Sequence, residues 1–356
     1  MIALVFCGDL RYCPYIERYL ERIRKTTHDF KVYFWNRSGD LPALDEHYSY
    51  YGVASRLNKR KVEKLKDFYQ FGKWLARRMD ADKPDKVIAL STLTGMLLIR
   101  QLKKGYAGRY VFDIRDYSYE SNPFFKEAEK ELVDASYFTA ISSRGFEEFL
   151  PAHDYVIAHN FSRDEAKIRR TFHRADGTIC FAFNGMLRYF SYQKRYLDLL
   201  GNDERFKLIY HGDGPEAEQY QAYCRENRIL NVTFTGRYDN AQKPELLSGA
   251  HIINNCYGNP FGTDKRVKYA VSNKFYDGMI YHIPQLVEPD GYKAALTEKY
   301  GIGFALRPEE GLADRLYKKY MEIDGSEFDE RCEFALKKVV EEDDRYISKI
   351  DDFLNL

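Results

Sequence analysis

Short, continuous apolar runs alternate with longer amphipathic segments along the first half of the chain. Uninterrupted apolar runs separated by helical segments are typical of parallel strands buried on both faces, so this half is predicted to form a doubly wound α/β domain. The predicted strands read MIALVFC, FKVYFW, DKVIALS, RYVFDI, SYFTAIS and DYVIAHN, and the predicted helices cover 14–26, 58–80, 92–104, 122–134 and 142–149.

The second half repeats this alternation, with apolar runs TICFAFN, FKLIYH, NVTFTG, AHIINN, PQLV and IGFAL. Residues 160–177 are polar and charged and are predicted to link the two halves. We predict an N-terminal Rossmann-like domain over 1–165, a C-terminal one over 166–340, and a terminal helix over 341–356 that can return to the N-terminal domain. Such domains bind ligands at the carboxyl ends of their strands, so two of them facing each other would place the ligand in a cleft between them.

Composition supports a soluble globular protein of two ordinary domains: 356 residues, of which 44% are apolar and 31% charged. The formal net charge of +1 argues against a nucleic-acid-binding protein, so an electrostatic function must be local. The six cysteines show no CxxC motif and no cysteine–histidine cluster, which favours buried free thiols and no metal site.

The N-terminal sequence MIALVFCGDLRY has no basic segment before its apolar run and does not resemble a signal peptide. No stretch reaches the ~18 apolar residues that a membrane-spanning helix needs. We therefore expect a cytoplasmic protein.

Glycines and cations follow the first strand of the second half, in FNGMLRYFSYQKR. Gly185 allows a tight turn, Arg188 and Lys194 supply positive charge, and a helix is predicted to begin near Gln193. Cations beside a helix N-terminus favour phosphate, because unpaired N–H groups and the helix dipole add to the side-chain charge.

Three further loops continue the pattern. The turn HGDGP holds Gly212 and Gly214, and TGRYDN holds Gly236. In AVSNKFYDG, Ser272 and Asn273 can cap a helix and leave its first N–H groups facing an anion. Each feature alone is more often an ordinary turn or cap, but four in succession predict a site for a phosphorylated, nucleotide-like ligand.

These motifs, in this order, resemble the donor-binding domain of GT-B-fold glycosyltransferases, especially those that build bacterial capsule, O-antigen and exopolysaccharide chains. The resemblance rests on NGMLRYFSYQK, HGDGP, VTFTG, SNKFYDGMIYHIPQLV and YGIGFAL, covers residues 178–305, and extends to the N-terminal half only in architecture. It implies a GT-B fold and a nucleotide-sugar donor, with a UDP- or GDP-sugar expected and no other cofactor.

The resemblance also implies residue roles. Arg188 and Lys194 would hold the donor diphosphate without a metal, with Lys274 adding charge, and Asp277 would receive the ribose hydroxyls. The residues that would border the nucleotide are Gly185, Gly212, Gly214, Gly236, Ser272 and Asn273.

One position departs from the family. Many retaining relatives carry a second Glu eight residues before the ribose acid, where this chain has Tyr269. Asp264 can serve instead, so a retaining or an inverting outcome stays open. The surrounding loop, 256–270, is expected either to close over the donor sugar or to be an ordinary surface loop.

The first half supplies the candidate acceptor side. Gly8 follows the first strand, and Asp113 and Asp116 end the strand RYVFDI. Asp116 is the candidate catalytic base, because burial can raise a carboxylate pKa towards the working range. The alternative is a structural Arg115–Asp116 pair or a helix cap.

The segment 56–79 holds nine Lys and Arg residues against two acids, interleaved with apolar residues. Such a basic amphipathic helix can lie on an anionic membrane surface or can simply pack its apolar stripe on the sheet. We predict peripheral contact with the inner face of the cell membrane, because polymer-building relatives use lipid-linked acceptors.

The leading hypothesis is a glycosyltransferase that moves a sugar to a hydroxyl of a lipid-linked surface polysaccharide precursor. Two alternatives remain open: a non-catalytic nucleotide- or saccharide-binding subunit with a degenerate site, and a GT-B-fold sugar-nucleotide epimerase. The identity of the sugar, the base and the acceptor, and the oligomeric state, have no signature in the sequence.

Overall fold

The computed structural model describes residues 1–39, 44–54, 61–258 and 264–356. They form two compact units. The N-terminal unit comprises Met1–His159 and Glu342–Leu356, and the C-terminal unit comprises Asn160–Glu341. Each unit is built on one parallel sheet flanked by helices.

The described residues of the N-terminal unit form a seven-stranded parallel sheet of order β3-β2-β1-β4-β5-β6-β7. Its strands are β1 Ile2–Phe6, β2 Phe30–Trp35, β3 Tyr48–Tyr51, β4 Lys86–Leu90, β5 Tyr110–Ile114, β6 Phe138–Ile141 and β7 Val156–Ile157. Its helices are α1 Ile16–Ile23, α2 Lys61–Asp82, α3 Thr92–Leu97, α4 Ile99–Gly105 and α5 Pro123–Ala135.

The described residues of the C-terminal unit form a six-stranded parallel sheet of order β10-β9-β8-β11-β12-β13. Its strands are β8 Ile179–Asn184, β9 Phe206–His211, β10 Val232–Gly236, β11 Ile252–Asn254, β12 Gln285–Val287 and β13 Gly303–Ala305. Its helices are α6 Phe190–Leu200, α7 Ala217–Glu226, α8 Lys243–Leu247, α9 Lys265–Lys268, α10 Asn273–Ile280, α11 Tyr292–Tyr300 and α12 Leu312–Met321, and α13 Gly325–Leu354 continues into the N-terminal unit.

Helices cover both faces of the second sheet, as its apolar runs predicted. Phe181 and Phe183 of β8 enter one apolar cluster, and Cys180 and Ala182 enter another. Successive residues of a strand point to opposite faces, so a strand buried in both directions must be apolar at every position. The predicted α/β fold with two doubly wound sheets is confirmed.

Four details of the predicted elements differ. The predicted helix 142–149 is only a short 3₁₀ helix, Arg144–Glu148. The edge strand β3, of sequence YSYY, was not predicted, because its tyrosines lie in a polar stretch without an aliphatic run. The predicted helix 92–104 is divided at Leu98 into α3 and α4. Helix α6 begins at Phe190 rather than near Gln193.

Helix α13 is longer than the predicted terminal helix and begins at Gly325. Its last part packs on α1 within the N-terminal unit, where Arg18 Nη2 lies 2.5 Å from Asp343 Oδ1 and Arg22 Nη2 lies 2.5 Å from Asp351 Oδ2. The predicted return of the terminal helix to the N-terminal domain is therefore confirmed. Within the described ranges, no helix is both long and apolar enough to cross a membrane.

Candidate functional site

The loops that follow β8, β9 and β10 meet backbone to backbone at three glycines. Gly185, Gly212 and Gly236 have φ angles of +134°, +132° and +78°. The Gly185 N–H donates to His211 O at 2.9 Å, and the Gly212 N–H donates to Gly236 O at 2.9 Å. A Cβ on Gly212 would lie 1.9 Å from Gly185 O, so only glycine fits there. The three loops thus present bare backbone at the carboxyl edge of the sheet.

Lys274, the second residue of α10, reaches this edge from the interior. Its side chain is 3% exposed, and its Nζ donates to the Tyr257 hydroxyl at 2.7 Å. The same Nζ lies 4.1 Å from the ring centroid of Phe183 and 4.4 Å from that of Tyr257. A Cβ on Gly185 would lie 3.3 Å from this ammonium, so the lysine and the first glycine loop are neighbours.

The charge of Lys274 is poorly compensated. Burial lowers its pKa to about 7, with Arg188 lowering it further and Asp277 raising it. Among the described residues, no carboxylate lies within ion-pair distance of its Nζ. A buried ammonium that contacts the hydroxyl and ring of Tyr257 and the ring of Phe183 favours an incoming anion.

Asp277, one helical turn after Lys274, sits in a separate buried network. Its Oδ1 lies 2.9 Å from Lys243 Nζ, and its Oδ2 accepts from Asn184 Nδ2 at 2.9 Å. Lys243 also lies 3.0 Å from Glu165, which accepts from the Tyr281 hydroxyl at 2.8 Å. Burial raises the pKa of Asp277, and Lys243 opposes that rise. The lysine therefore helps to keep the aspartate ionised.

A second network fixes Tyr257 beside Lys274. Glu288 accepts the backbone N–H of Tyr257, and Lys293 Nζ lies 3.3 Å from the other oxygen of Glu288. Lys293 also donates to Asn255 Oδ1 at 3.3 Å, and Ser272 Oγ donates to the same oxygen at 2.6 Å. The start of α10 and the loop after β11 are thereby tied together in the interior.

The predicted cap of α10 is not formed by a side chain. Ser272 occupies the N-cap position, but its hydroxyl bonds Asn255 instead of the helix N–H groups. The side chain of Asn273 accepts from Asn160 Nδ2 at 2.6 Å. The prediction that these side chains cap α10 is therefore wrong. Within the described part of the chain, the backbone N–H groups of Asn273 and Lys274 have no hydrogen-bond acceptor.

Of the two other predicted phosphate-binding cations, the structure brings one to Lys274. Arg188 is exposed, stacks over the Tyr189 ring at 4.9 Å, and is close enough to lower the pKa of Lys274. Lys194 lies on α6 with its Nζ 5.5 Å from the ring centroid of Tyr223 on α7. Lys194 therefore has a described contact away from Lys274, and its role stays a prediction.

The remaining predicted donor-side positions lie on loops of the same unit. A Cβ on Gly214 would lie 2.4 Å from Leu187 O, so this turn packs on the loop after β8. Asp264 caps α9 by accepting from the Arg266 N–H at 3.0 Å and also binds the Arg266 guanidinium. Residues 259–263 of the loop predicted to close over the sugar lie outside the described residues.

In the N-terminal unit, the two predicted acceptor-side aspartates differ. Asp113 is fully buried, its carboxylate binds Arg115 through Nε at 2.5 Å and Nη2 at 2.8 Å, and the Tyr19 hydroxyl donates to it at 2.7 Å. The alternative Arg115–Asp116 pair is thus replaced by an Arg115–Asp113 pair. Asp116 is exposed, so the burial invoked to raise its pKa is absent.

The first loop of the N-terminal unit begins with Cys7 and Gly8. The Cys7 N–H donates to Thr94 Oγ1 at 2.9 Å, which ties this loop to the start of α3. Ser91, directly after β4, has a φ of +92°, a conformation that side chains rarely adopt. Its hydroxyl accepts from the Thr94 N–H at 3.4 Å and caps α3. No sequence pattern had indicated this turn.

Helix α2 carries the basic segment 56–79, of which residues 56–60 lie outside the described residues. Phe71, Leu75 and Met79 are buried against the unit, whereas Leu65 is 67% exposed and Tyr69 is 69% exposed. Phe68 packs on Trp35 with ring centroids 5.7 Å apart, so the apolar stripe packs inward from Phe68 onward, whereas Leu65 and Tyr69 face solvent.

Sequence reasoning missed the residues that support the predicted ones. Tyr257 contacts Lys274, and Lys243 joins Asp277 to Glu165, only because the fold brings distant segments together. The one local signal is that Tyr257 closely follows β11. Among the described residues, no group of three or more His, Cys, Asp or Glu side chains is placed to hold a metal ion.

The two sheet orders define the class of fold. In each unit the first strand is central, two strands follow on one side and the rest on the other, which is the doubly wound arrangement with its ligand crevice at the carboxyl ends of the strands. Two such units in one chain make the GT-B fold, and solved structures of GT-B glycosyltransferases match the chain over nearly its whole length.

Three of these structures illustrate the likeness. Sucrose-phosphate synthase from Thermosynechococcus elongatus is 12% identical, with a TM-score of 0.67 over 95% of this chain and 94% of that one. HepE from Anabaena, solved with UDP, is 13% identical, with a TM-score of 0.65 over 99% of each chain. The lipopolysaccharide outer core galactosyltransferase WaaB is 16% identical, with a TM-score of 0.61 over 96% and 98%.

At these identities the likeness concerns the fold. No protein-family model matches the chain, and no curated protein sequence does.

Proposed function

We propose that this protein is a glycosyltransferase that moves a sugar from a nucleotide-diphosphate donor to an acceptor hydroxyl. One observation carries the proposal: among the described residues, the buried ammonium of Lys274 has no carboxylate within ion-pair distance, and it lies beside the Gly185 loop and within electrostatic range of Arg188. A departing nucleotide diphosphate supplies the missing negative charge. That HepE, a structure of the same fold, binds UDP supports this choice of ligand.

The donor-side roles follow from charge and position. Lys274 and Arg188, with Lys194, neutralise the charge that develops on the diphosphate as the glycosidic bond breaks, so the reaction proceeds without a metal. Asp277, whose carboxylate pairs with Lys243, accepts hydrogen bonds from the ribose hydroxyls. The glycine loops let the nucleotide approach the backbone closely.

The acceptor-side proposal rests on Asp116. The Asp113 carboxylate binds Arg115 and Tyr19 in the interior of the unit, whereas Asp116 follows β5 and is exposed to an incoming acceptor. We infer that Asp116 takes the proton of the acceptor hydroxyl if the enzyme is inverting and orients the acceptor if it is retaining. Gly8 lets the first loop approach the acceptor.

We further propose that the acceptor is a lipid-linked precursor of a bacterial surface polysaccharide, met at the inner face of the cell membrane. Exposed Leu65 and Tyr69 stand four residues apart on α2, among exposed Lys64, Lys66 and Lys73. Apolar residues flanked by lysines suit an anionic membrane surface. WaaB, which has the same fold, is a lipopolysaccharide transferase and supports this acceptor class.

Calorimetric titration tests the donor site. The purified protein is titrated with UDP, GDP, ADP, CMP and dTDP, with and without Mg²⁺. We expect one nucleotide to bind in the absence of metal and to lose affinity in Arg188→Ala. Binding of none of them by the folded protein would contradict the proposal.

Incubation with the matching nucleotide sugar then separates the three candidate activities. Transfer to a lipid-linked saccharide, lost in Asp116→Asn, supports the transferase. Binding without turnover would indicate a non-catalytic subunit. Conversion of the nucleotide sugar to its epimer without an acceptor would indicate an epimerase.

A further inference from the structure

In the N-terminal unit, directly after β2, lies Arg37, a second cation for which the described residues supply no carboxylate partner. The Arg37 guanidinium carbon is 4.1 Å from the ring centroid of Trp35 and 5.1 Å from that of Phe68. Its Nη2 donates to Cys7 O at 3.4 Å. Two rings and one carbonyl therefore hold the planar guanidinium in a fixed orientation at the carboxyl edge of the sheet.

Among the described residues, no carboxylate lies within 4.0 Å of the nitrogens of Arg37, and its buried Nε has no hydrogen-bond acceptor. The nearby acid Asp9 accepts from the Ser38 hydroxyl at 3.1 Å and faces Arg11 at 3.6 Å. Arg37 is half-buried, so the unbalanced charge is held partly away from water.

Arg37 lies at the carboxyl edge of the sheet, where doubly wound domains bind their ligands. β1 and β2 are paired neighbours, so the loops that begin at Cys7 and Asn36 emerge side by side. Arg11, exposed and stacked on Tyr12, belongs to the first of these loops. A fixed guanidinium matches the two oxygens of a phosphate or carboxylate group better than an ammonium does.

We propose that the N-terminal unit binds an anionic group of the acceptor, a phosphate or a carboxylate, at Arg37. This proposal rests on the proposed transferase function, because only a transferase has an acceptor. It narrows the acceptor to a charged saccharide or saccharide-lipid. The site is separate in the chain from the diphosphate-binding cations Lys274 and Arg188, which belong to the C-terminal unit.

The protein carries its own reporter for this site. Its two tryptophans, Trp35 and Trp74, both lie in the N-terminal unit, and Trp35 is stacked on Arg37. In a Trp74→Phe background, indole fluorescence is titrated with inorganic phosphate, glucose 6-phosphate and glucuronate, at constant ionic strength set with sodium chloride. The donor site is first saturated with UDP, so that phosphate cannot act through Lys274.

We expect a saturable fluorescence change whose midpoint rises at least ~10-fold in Arg37→Met and less in Arg37→Lys, which keeps charge but loses the planar fork. The matched control is Arg78→Met, because Arg78 also stacks on a tryptophan, Trp74, at 5.9 Å. This control is made in the protein that retains Trp74, and its titration is expected to equal that of the unsubstituted protein.

Two additional arms complete the test. Vesicles containing phosphatidylglycerol, compared with neutral vesicles, distinguish a lipid phosphate from a soluble one. ³¹P NMR line broadening of glucose 6-phosphate repeats the comparison without relying on the indole. Equal midpoints in the parent and Arg37→Met, or no change in either fluorescence or line width, would overturn the proposal.

The two proposals fail separately. If UDP does not bind but phosphate affinity depends on Arg37, the donor proposal falls and the anion site stands. If UDP binds normally and Arg37→Met changes nothing, Arg37 only covers Trp35 and Phe68, and the donor proposal is unaffected.

Discussion

Arg115 in the N-terminal unit and Lys274 in the C-terminal unit are both interior cations, and they differ in their surroundings. Arg115 makes two hydrogen bonds to Asp113, donates to Ala158 O at 2.8 Å, and stacks on Tyr15 at 4.3 Å. Burial alone would lower the pKa of Arg115, but Asp113 raises it above its usual value. Lys274 has a hydroxyl and two rings, and burial lowers its pKa to about 7.

This difference separates a structural charge from a binding one. Removing a fully paired buried ion leaves its partner uncompensated and destabilises the fold. Removing a buried ion that has no oppositely charged partner relieves a desolvation cost and leaves no charge uncompensated. Arg115 therefore belongs to the stability of its domain, whereas Lys274 is a charge held for a ligand.

The largest expected effect comes from Arg115→Met. The variant leaves the fully buried Asp113 carboxylate without its cation, so we expect the free energy of unfolding of the N-terminal unit to fall by about 3–5 kcal/mol. Urea denaturation followed by tryptophan fluorescence measures this, because both tryptophans lie in that unit.

The matched control for Arg115→Met is Arg24→Met. Arg24 pairs with Glu17 at 3.0 Å with both side chains about half exposed, so its loss should cost at most ~1 kcal/mol. Equal losses in the two variants would remove the distinction between the buried pair and a surface pair.

Lys274→Met is expected to behave in the opposite way. Its free energy of unfolding should equal or exceed that of the parent, because the buried charge is gone. Its affinity for UDP should fall about 100-fold, which corresponds to ~2.7 kcal/mol. Calorimetry measures the affinity and urea denaturation the stability.

Lys299→Met serves as the control for Lys274→Met. Lys299 also stacks on a tyrosine, Tyr300, at 5.4 Å, but it is exposed. We expect this variant to keep both stability and UDP binding. A Lys274→Met protein that unfolds as readily as Arg115→Met would show that Lys274 is structural.

The sequence predicted the elements well and the contacts poorly. Every strand except β3 was predicted, because buried parallel strands are apolar at successive positions and such runs stand out. Lys243, which pairs with Asp277, and Glu165, which pairs with Lys243, could not be predicted, since they lie far from Asp277 in sequence and no local pattern links them. Lys274 was predicted from its place in SNKFYDG, but not that the described residues place no carboxylate within ion-pair distance of it.

The two predicted aspartates of the N-terminal unit show the same limit. Asp113 and Asp116 lie three residues apart at the end of one predicted strand, and both were placed on the acceptor side, with Asp116 as the candidate base. In the structure the strand buries Asp113 with Arg115, and the loop exposes Asp116. Which of the two neighbouring acids pairs with Arg115 depends on how Tyr19 and Arg115 pack, and no local sequence pattern predicts that packing.

The affinity for UDP is expected to depend on pH through the ionisation of Lys274. In the empty site Lys274 loses its proton above a pKa of about 7, and only the ammonium form attracts the diphosphate. The association constant should therefore fall by up to ~10-fold, or ~1.4 kcal/mol, per pH unit between pH 7.5 and 9, with proton uptake on binding. The second ionisation of a phosphate, near pKa ~6, is complete in this range.

Titrations in buffers of different ionisation enthalpy measure that proton uptake. In Lys274→Met the residual binding should show no such slope. A pH-independent affinity in the parent would mean that Lys274 stays charged in the empty site, and the contrast with Arg115 would then lose its electrostatic basis.

Glu129 is a third buried ionisable group, and its substitution is expected to change the free energy of unfolding least. It lies on α5, fully buried, and neither carboxylate oxygen has a hydrogen-bond partner among the described residues. Burial raises its pKa to about 8, with Glu120 adding to the rise and Lys126 opposing it. Glu129 avoids the desolvation cost by staying protonated, whereas Arg115 is paired with Asp113 and Lys274 has no carboxylate within ion-pair distance among the described residues.

The sign of the resulting pH effect is fixed by the raised pKa. The folded protein binds the Glu129 proton more tightly than the unfolded chain does, so the stabilisation is complete below the unfolded pKa and is lost as pH rises through 8. Between pH 7.5 and 8.5 about half a proton separates the two states, so Glu129→Gln should gain ~0.7 kcal/mol on the parent across that interval. Urea midpoints at the two pH values measure the gain, with Glu131→Gln, an exposed neighbour on α5, as the control. If both variants follow the parent, Glu129 is already ionised at pH 7.5. The N-terminal unit would then hold a buried charge that is uncompensated and binds no ligand. A buried charge without an oppositely charged partner would no longer indicate a ligand site, and the assignment of Lys274 to a ligand would be weaker.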